Sequence, residues 1–178
     1  MASLSSKSNR SDAVPPSQVA VFTGTFDPIT LGHLDVIQRA SGIFRRVIVG
    51  VGSNPDKPSL FTLDERVSLV RSCVAGLPSV QVDSFDGLAV RFVRSRGAGV
   101  IVRGVRSVAD MDYELTMARS NRSLEPSIET FFLPANESYS HISSTLIRQI
   151  AREAGRKELA KFVPAPVVDP LLAKFRKT

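Results

Sequence analysis

The sequence predicts an α/β fold, in which helices cover both faces of a doubly wound parallel sheet of five strands. Segments rich in β-branched residues alternate along the chain with segments whose apolar residues recur at helical spacing. Strand-like segments such as VIVGVG and GVIV are apolar almost throughout, which is typical of parallel strands buried on both faces. A chain of 178 residues is most simply one domain. Together these observations indicate a single Rossmann-like domain.

The five expected strands are all short and rich in β-branched residues. They are predicted at Val19–Thr23, Val47–Gly52, Val80–Ser84, Gly99–Arg103 and Ile128–Leu133. Because a helical pattern lies between each strand and the next, strands that pair in the sheet are expected to run parallel.

Apolar stripes at helical spacing predict the first two helices. The first stripe consists of Leu34, Ile37 and Phe44, with Ser41 at the same spacing and Ala40 beside it, and the second consists of Leu63, Val67, Val70 and Val74. Thr62 and Glu65 have the spacing of a capping box, so the second helix is expected to begin just after Thr62.

Three more helices are expected near residues 88–96, 108–121 and 144–155. A last helix is expected to begin at Asp169-Pro170, because aspartate suits the N-cap and proline suits the first helical position.

The N-terminal residues and the single cysteine indicate the cellular compartment in which the protein is expected. Residues 1–17 are rich in serine and proline and are expected to form a disordered tail before a domain at 18–178. An organellar transit peptide, which is also serine-rich and basic, is the alternative for this segment. Residues 1–17 lack the apolar core of a secretory signal, and no stretch has the ~20 apolar residues of a membrane span. The single cysteine, Cys73, lies among valines and is expected to be a buried structural thiol. A reducing compartment, the cytoplasm, and no membrane partner are therefore expected.

The formal net charge of +6 predicts an acidic partner, which could be nucleic acid, an anionic membrane or a phosphorylated metabolite. The basic residues are scattered among acidic ones, and the chain has no tryptophan and no aromatic run suited to stacking on bases. Phosphate-bearing metabolites are therefore favoured over nucleic acid.

The loop TGTFDPITLGH, residues 23–33, follows the first strand, where a doubly wound sheet binds its ligand. Gly24 allows a sharp turn, and Thr25 offers a hydroxyl beside its N–H group. Gly32-His33 opens the next helix, whose free N–H groups favour a phosphate. A plain loop with a histidine that caps a helix is the alternative.

Three motifs resemble those of known enzymes. Thr30-Leu31-Gly32-His33 is similar to the T/HxGH motif of the nucleotidylyltransferase superfamily, and ISSTLIR at 142–148 is similar to its ISSTxxR motif, which opens a helix and grips the triphosphate. RGVRSVADMDYE at 103–114 closely resembles the RGxRxxxDxxYE pattern of phosphopantetheine adenylyltransferases. The Pro55-Asp56-Lys57 segment and FTLDERV at 61–67 match the same family. The resemblance extends from Val19 to about Lys174.

This resemblance implies reversible transfer of an adenylyl group from ATP to 4′-phosphopantetheine, which gives dephospho-coenzyme A and pyrophosphate in coenzyme A biosynthesis. The phosphate of the acceptor attacks the α-phosphorus directly, so no protein nucleophile is needed. Mg²⁺ is implied as the cofactor, held mostly by phosphate oxygens and water and with no protein ligand assigned. A homohexamer and feedback by coenzyme A are also implied.

The resemblance further implies a role for individual residues. His33 stabilises charge on the α-phosphate, Lys57 binds and orients the acceptor phosphate, and Arg103 binds the acceptor; these three are the catalytic set. The residues implied in ATP binding are Thr25, Phe26, His33, Gly104, Val105, Arg106, Glu114, Tyr139, Ser140, His141, Ile142, Ser143, Ser144 and Thr145. Those implied in binding the acceptor are Thr25, Lys57, Leu88, Ala89 and Arg103.

Two departures from the family and three alternative functions stand beside this interpretation. Thr23 replaces a usual proline, and His141 replaces a frequent phenylalanine. The nearest alternative is an adenylyltransferase that acts on nicotinamide mononucleotide, although RGVRSVADMDYE favours the pantetheine enzyme. A non-catalytic basic module that binds nucleotides or nucleic acid is an alternative from another class, and a catalytically silent nucleotide sensor is the third.

Overall fold

The computed structural model describes residues 18–53 and 58–175. The predicted tail at 1–17 and the predicted phosphate-binding Lys57 lie outside the described residues, so both stay predictions.

All five predicted strands are confirmed, with ends that move by one or two residues. They form one parallel sheet, and they are β1 (Val19–Gly24), β2 (Arg46–Gly52), β3 (Val80–Phe85), β4 (Val100–Val105) and β5 (Glu129–Pro134). The strand order is β3-β2-β1-β4-β5. The chain moves outward from β1 to β3 and then returns to the other side of β1. The switch point of this doubly wound sheet therefore lies between β1 and β4.

Helices connect successive strands, and three more follow the last strand in the described part of the chain. They are α1 (Leu31–Ile43), α2 (Leu63–Val74), α3 (Ala89–Ser95), α4 (Val108–Leu124), α5 (Ser144–Ile150), α6 (Arg156–Leu159) and α7 (Ala165–Phe175), with a 3₁₀ turn at Glu137–Tyr139. The predicted helix at 144–155 is shorter, because α5 ends at Ile150 and a turn separates it from α6. Among the described residues, no helix is long and apolar enough to cross a membrane.

The core occupies both faces of the sheet, as buried parallel strands require. Ala20 and Phe22 on β1 belong to the larger apolar cluster, which also contains residues of α1, α2 and α7. Val21, between them, belongs to a smaller cluster with Val93 of α3. Successive side chains of a strand point to opposite faces, so β1 contributes to both clusters.

The capping box at the start of α2 is confirmed. Oγ1 of Thr62 accepts from the N–H of Glu65 over 3.3 Å, and the Glu65 carboxylate accepts from the N–H of Thr62 over 2.8 Å. Cys73, near the end of the same helix, is half-buried against the core, and burial raises the pKa of its thiol to about 11. This thiol is therefore protonated at neutral pH and a poor nucleophile.

The predicted start of the last helix is wrong. Helix α7 begins at Ala165, and Pro170 lies inside it. Its buried face consists of Val167, Val168, Leu171 and Leu172. A proline in a helix removes one hydrogen bond. Burial of four apolar side chains on both sides of Pro170 outweighs that loss and extends the helix toward its N-terminus.

Candidate active site

A cavity of about 280 Å³ lies at the carboxyl ends of β1 and β4, which is the switch point of the sheet. It brings together residues that are far apart in the sequence, from the β1–α1 loop, the β4–α4 segment and the start of α5. The predicted site residues that line it are Thr25, Phe26, His33, Arg103, Gly104, Arg106, Glu114, Tyr139, Ile142, Ser143, Ser144 and Thr145.

Three of the residues predicted to bind ATP do not line this cavity. The side chain of Val105 is buried at the end of β4. Ser140 donates to the carbonyl of Glu137, and His141 is exposed with its ring 6.1 Å from that of Phe162. Their segment reaches the cavity through its neighbours at 139 and 142 instead.

The two residues predicted to contact the pantetheine arm separate in the structure. Ala89 lines a smaller cavity of about 90 Å³ that also contains Arg103 and Glu114. Leu88 precedes α3, is 46% exposed and borders a different groove beside Leu124. Only Ala89 therefore lies next to the residues of the main cavity.

His33 is held by the first turn of α1 in a fixed orientation. Thr30 is the N-cap of this helix, and its Oγ1 accepts from the N–H of His33 over 3.3 Å. In return, the N–H of Thr30 donates to Nδ1 of His33 over 3.1 Å. Since Nδ1 accepts a hydrogen bond, the proton of the neutral ring is on Nε2. His33 therefore presents Nε2–H as its free donor.

The ring of His33 is neutral at ordinary pH. Burial, which is the largest cause, and the positive charges of Arg106 and Arg103 together lower its pKa from the usual 6.5 to about 4. A neutral imidazole donates one hydrogen bond without carrying a charge of its own.

The β1–α1 loop is shaped by packing around Phe26. This residue is buried and has φ = 49°, which is uncommon for a residue with a side chain. Its ring lies 5.1 Å from the ring of His33 and 5.5 Å from that of Phe22. A Cβ atom on Gly24 would come within 3.0 Å of the Phe26 ring, so a side chain at this position would force that buried ring to shift.

Arg103 at the end of β4 is held by a two-point ion pair with Glu114. Nε of Arg103 donates to one carboxylate oxygen over 2.7 Å and Nη2 to the other over 2.5 Å. Its third group, Nη1, donates to the carbonyl of Thr23 over 2.8 Å. Glu114 is the one buried residue of α4. Both planar groups are thus fixed in the wall shared by the two cavities.

Arg106 connects the β4–α4 segment to the start of α5. Its Nε donates to Asp110 over 2.9 Å, and its Nη1 donates to the carbonyl of Ile142 over 3.0 Å. Ser143 then caps α5 by accepting from the N–H of Leu146, which leaves Ser144 to donate to Pro28 of the β1–α1 loop over 2.8 Å. These contacts tie the start of α5 to the β4–α4 segment and to the β1–α1 loop on this side of the cavity.

Sequence reasoning missed the role of Asp27, which it interpreted only as part of a turn. Asp27 is 4% exposed, and its two carboxylate oxygens accept from the N–H groups of Leu60 and Phe61 over 2.8 and 2.9 Å. Arg148, the arginine of the ISSTLIR segment, donates to the Asp27 carbonyl over 2.6 Å and pairs with its carboxylate. Arg148 therefore holds the β1–α1 loop in this structure. These residues are far apart in the sequence, and no local pattern indicates that they are in contact.

Comparison with known proteins gives the family of the chain. A protein-family model described as cytidylyltransferase-like matches residues 21–150. The chain is 52% identical over 158 residues to a phosphopantetheine adenylyltransferase from Rhodopirellula baltica, with 88% of each chain covered. It is 46% identical to one from Cyanothece sp., with 90% of this chain and 94% of that protein covered.

Solved structures at lower identity share the fold. The Plasmodium falciparum nicotinic acid mononucleotide adenylyltransferase matches 88% of this chain and 95% of its own, with a TM-score of 0.66 and 14% identity. A bifunctional NMN adenylyltransferase/ADP ribose pyrophosphatase from Francisella tularensis matches 88% of this chain and 52% of its own, with a TM-score of 0.59 and 18% identity. At these identities the likeness concerns the fold alone. The matches at 46% and 52%, over nearly the whole chain, are decisive: this chain belongs to the phosphopantetheine adenylyltransferase family of cytidylyltransferase-like proteins.

Proposed function

We propose that this chain transfers the adenylyl group of ATP to 4′-phosphopantetheine, which gives dephospho-coenzyme A and pyrophosphate in coenzyme A biosynthesis. One observation carries the proposal: a neutral histidine donor and two arginines, His33, Arg103 and Arg106, line one cavity at the switch point of the sheet. The relatives of that name are 45–52% identical over about nine-tenths of the chain, which supports the choice of acceptor.

The reaction is a direct displacement at phosphorus. A phosphate oxygen of the acceptor forms a bond to the α-phosphorus of ATP while the bond from that phosphorus to the bridging oxygen breaks, and pyrophosphate leaves with the electron pair. The protein contributes alignment of the two substrates and stabilisation of the charge that develops. Fixed N–H, hydroxyl and guanidinium donors are suited to both tasks.

His33 is proposed to act on the non-bridging oxygens of the α-phosphate. Its Nε2–H is a donor in a fixed direction, because Thr30 holds Nδ1. Negative charge on those oxygens grows in the transition state, so the hydrogen bond strengthens as the reaction proceeds. The neutral ring performs this role without a proton transfer.

Arg103 and Glu114 are proposed to separate and align the two substrates. The larger cavity, with Thr25 and Arg106, would hold ATP, and the smaller one, with Ala89, would hold the pantetheine arm. The Arg103–Glu114 pair lines both. Lys57, outside the described residues, is proposed to bind the acceptor phosphate as a mobile point charge.

ATP is proposed to enter as its Mg²⁺ complex. Among the residues of the described ranges, no group of three or more potential metal ligands occurs, and the cavity carboxylates of Asp110 and Glu114 are each paired with an arginine. This donor set fits an ion held mainly by phosphate oxygens and water. The ion would neutralise part of the triphosphate charge.

The exposed face of α4 supports a further proposal, that the chain assembles with copies of itself as the homohexamer expected of the family. This helix has 17 residues and buries only Glu114, whereas Tyr113, Met117 and Leu124, whose spacing of four and seven residues places them on one face, are exposed. Monomers seldom expose apolar side chains in such a row.

We also propose feedback by coenzyme A, which shares the adenylyl and pantetheine parts of the product, and a cytoplasmic location, which the single cysteine supports.

The function is tested by identifying the product. The purified chain is incubated with ATP, Mg²⁺ and 4′-phosphopantetheine, and the mixture is analysed by mass spectrometry. Dephospho-coenzyme A and pyrophosphate in equal amounts are expected. Hydrolysis of ATP without an adenylylated acceptor, or no reaction together with salt-dependent binding to nucleic acid, would contradict the proposal.

A further inference from the structure

Arg66 on α2 is a buried arginine to which neither the motifs nor the proposed reaction give a role. It is 4% exposed, and its Nε has no hydrogen-bond partner. The ion pairs among the described residues do not include it. An arginine keeps its positive charge in proteins, and burying a charge without a counter-ion is unfavourable. A side chain selected only for packing would not need that charge.

The guanidinium of Arg66 instead joins the ends of two neighbouring strands. Its Nη1 donates to the carbonyl of Thr25 over 2.7 Å and to the carbonyl of Gly52 over 2.8 Å. Gly52 is the last residue of β2, and Thr25 begins the loop that follows β1. One nitrogen atom therefore sets the spacing between these two carbonyls.

The start of α2 holds the next part of the same loop as well. The N–H groups of Leu60 and Phe61 donate to the carboxylate of Asp27, two residues after Thr25. Phe26, between the two anchored residues, has φ = 49° and packs on His33. The loop is thus fixed on both sides of a strained residue, with Thr25 on the cavity wall.

From these contacts we infer that Arg66 is a positioning residue for adenylyl transfer, which holds the main chain of Thr25 so that its N–H and hydroxyl meet the reacting phosphates. This inference rests on the proposed function. Arg66 acts through Thr25 and does not line the cavity itself. A shift of about 1 Å in a group that aligns substrates lowers turnover by up to about 100-fold. Loss of Arg66 is therefore expected to lower kcat more than the affinity for ATP.

The test compares Arg66→Met with two control variants on the same helix. Val70→Ala removes buried apolar atoms from the core and is expected to lower the melting temperature, and Val70 does not line the cavity. Arg71→Met removes an arginine that donates to the carbonyl of Val82, away from the cavity. Steady-state assays give kcat and the KM for ATP, at a temperature where thermal melting shows every variant to be folded.

Arg66→Met is expected to lower kcat by about 10- to 100-fold with a KM for ATP within about threefold of wild type. Both controls are expected to keep kcat within about twofold. Arg66→Lys retains a charged donor and is expected to recover kcat to within about tenfold of wild type. If Arg66→Met keeps kcat within about twofold, or if Val70→Ala loses as much, Arg66 only stabilises the fold and the inference is wrong.

A double-mutant cycle tests whether Arg66 acts through Thr25. If it does, Arg66→Met lowers kcat less in a Thr25→Ala background than in the wild type, because the hydroxyl that it positions is already gone while the N–H remains, whereas multiplicative effects would contradict the inference. Should Arg66→Met fail to fold, the same cycle with Arg66→Lys decides in the same way. Absence of dephospho-coenzyme A with both the wild type and Arg71→Met would contradict the proposed function instead. The two failures are thus distinguishable.

Discussion

The main-chain N–H of Thr30 donates to Nδ1 of His33 over 3.1 Å, and this contact determines which ring nitrogen carries the proton. The pair is the capping box of α1, with histidine in the place where glutamate or glutamine is usual. The same hydrogen bonds that begin the helix therefore aim Nε2–H of His33. The first turn of α1 therefore both begins the helix and orients the proposed donor to the α-phosphate.

Replacing His33 tests that turn directly. His33→Ala is expected to lower kcat by about 10²–10³-fold, because it removes one donor to an oxygen that gains charge. His33→Gln keeps an amide N–H and is expected to lose less. Circular dichroism and gel filtration check that both variants fold and assemble like the wild type. Turnover of His33→Ala close to that of the wild type would exclude His33 from the reaction.

Stability between pH 4 and 6.5 is expected to depend on His33. Its pKa is about 4 in the folded chain and 6.5 ordinarily, so in this window the unfolded chain binds more protons. The free energy of unfolding therefore decreases as the pH falls, by at most ~1.4 kcal/mol per pH unit from this group. Urea titrations of the wild type and His33→Gln measure it. Equal slopes in the two proteins would show that the histidine is not held neutral.

Breaking the Arg103–Glu114 pair is expected to destabilise the fold. Glu114→Gln leaves the guanidinium of Arg103 without its counter-ion in a half-buried wall, and we expect a loss of about 1–3 kcal/mol in urea unfolding. Glu129→Gln is the matched control, because its pair with Arg122 is more than 60% exposed on both sides and should change stability by less than about 1 kcal/mol. Equal effects of the two substitutions would contradict a structural role for the pair.

Asp27 is expected to be among the least replaceable residues of the β1–α1 loop. Asp27→Ala removes the acceptor of two N–H groups at the start of α2 and the partner of Arg148, so a loss of about 2–5 kcal/mol is expected. Asp169→Ala removes a carboxylate from a pair with Arg156 that is more than 60% exposed on both sides, and it should cost less than about 1 kcal/mol. Thermal and urea unfolding of both variants decide the comparison.

The strands and the cavity were predictable because their signals are local. A segment such as VIVGVG has few alternatives to a buried strand, and ligand loops follow strands in this class of fold. The start of α7 was not predictable, because Asp169-Pro170 has the local chemistry of a helix start while burial of Val167 and Leu171 favours a longer helix. The packing of α7 against residues that are distant in the sequence therefore outweighs the local helix-start signal of Asp169-Pro170.

The hydrogen bonds that hold the β1–α1 loop were not predictable either, because they join residues that are far apart in the sequence. In the sequence, Asp27 is 33 residues from Leu60 and 121 residues from Arg148. Arg66 is 41 residues from Thr25. Asp27 and Arg66 stand in segments whose pattern indicates a turn and a helix, respectively. Only the folded structure shows that the contacts of these two residues hold the same loop, β1–α1.

A comparison of acceptors distinguishes 4′-phosphopantetheine from nicotinamide mononucleotide as the substrate of this chain. Release of pyrophosphate from ATP is followed by a coupled assay with equal concentrations of 4′-phosphopantetheine, nicotinamide mononucleotide or no acceptor. We expect rapid release with 4′-phosphopantetheine and background release in the other two reactions. Rapid release with the mononucleotide and background release with 4′-phosphopantetheine would contradict it.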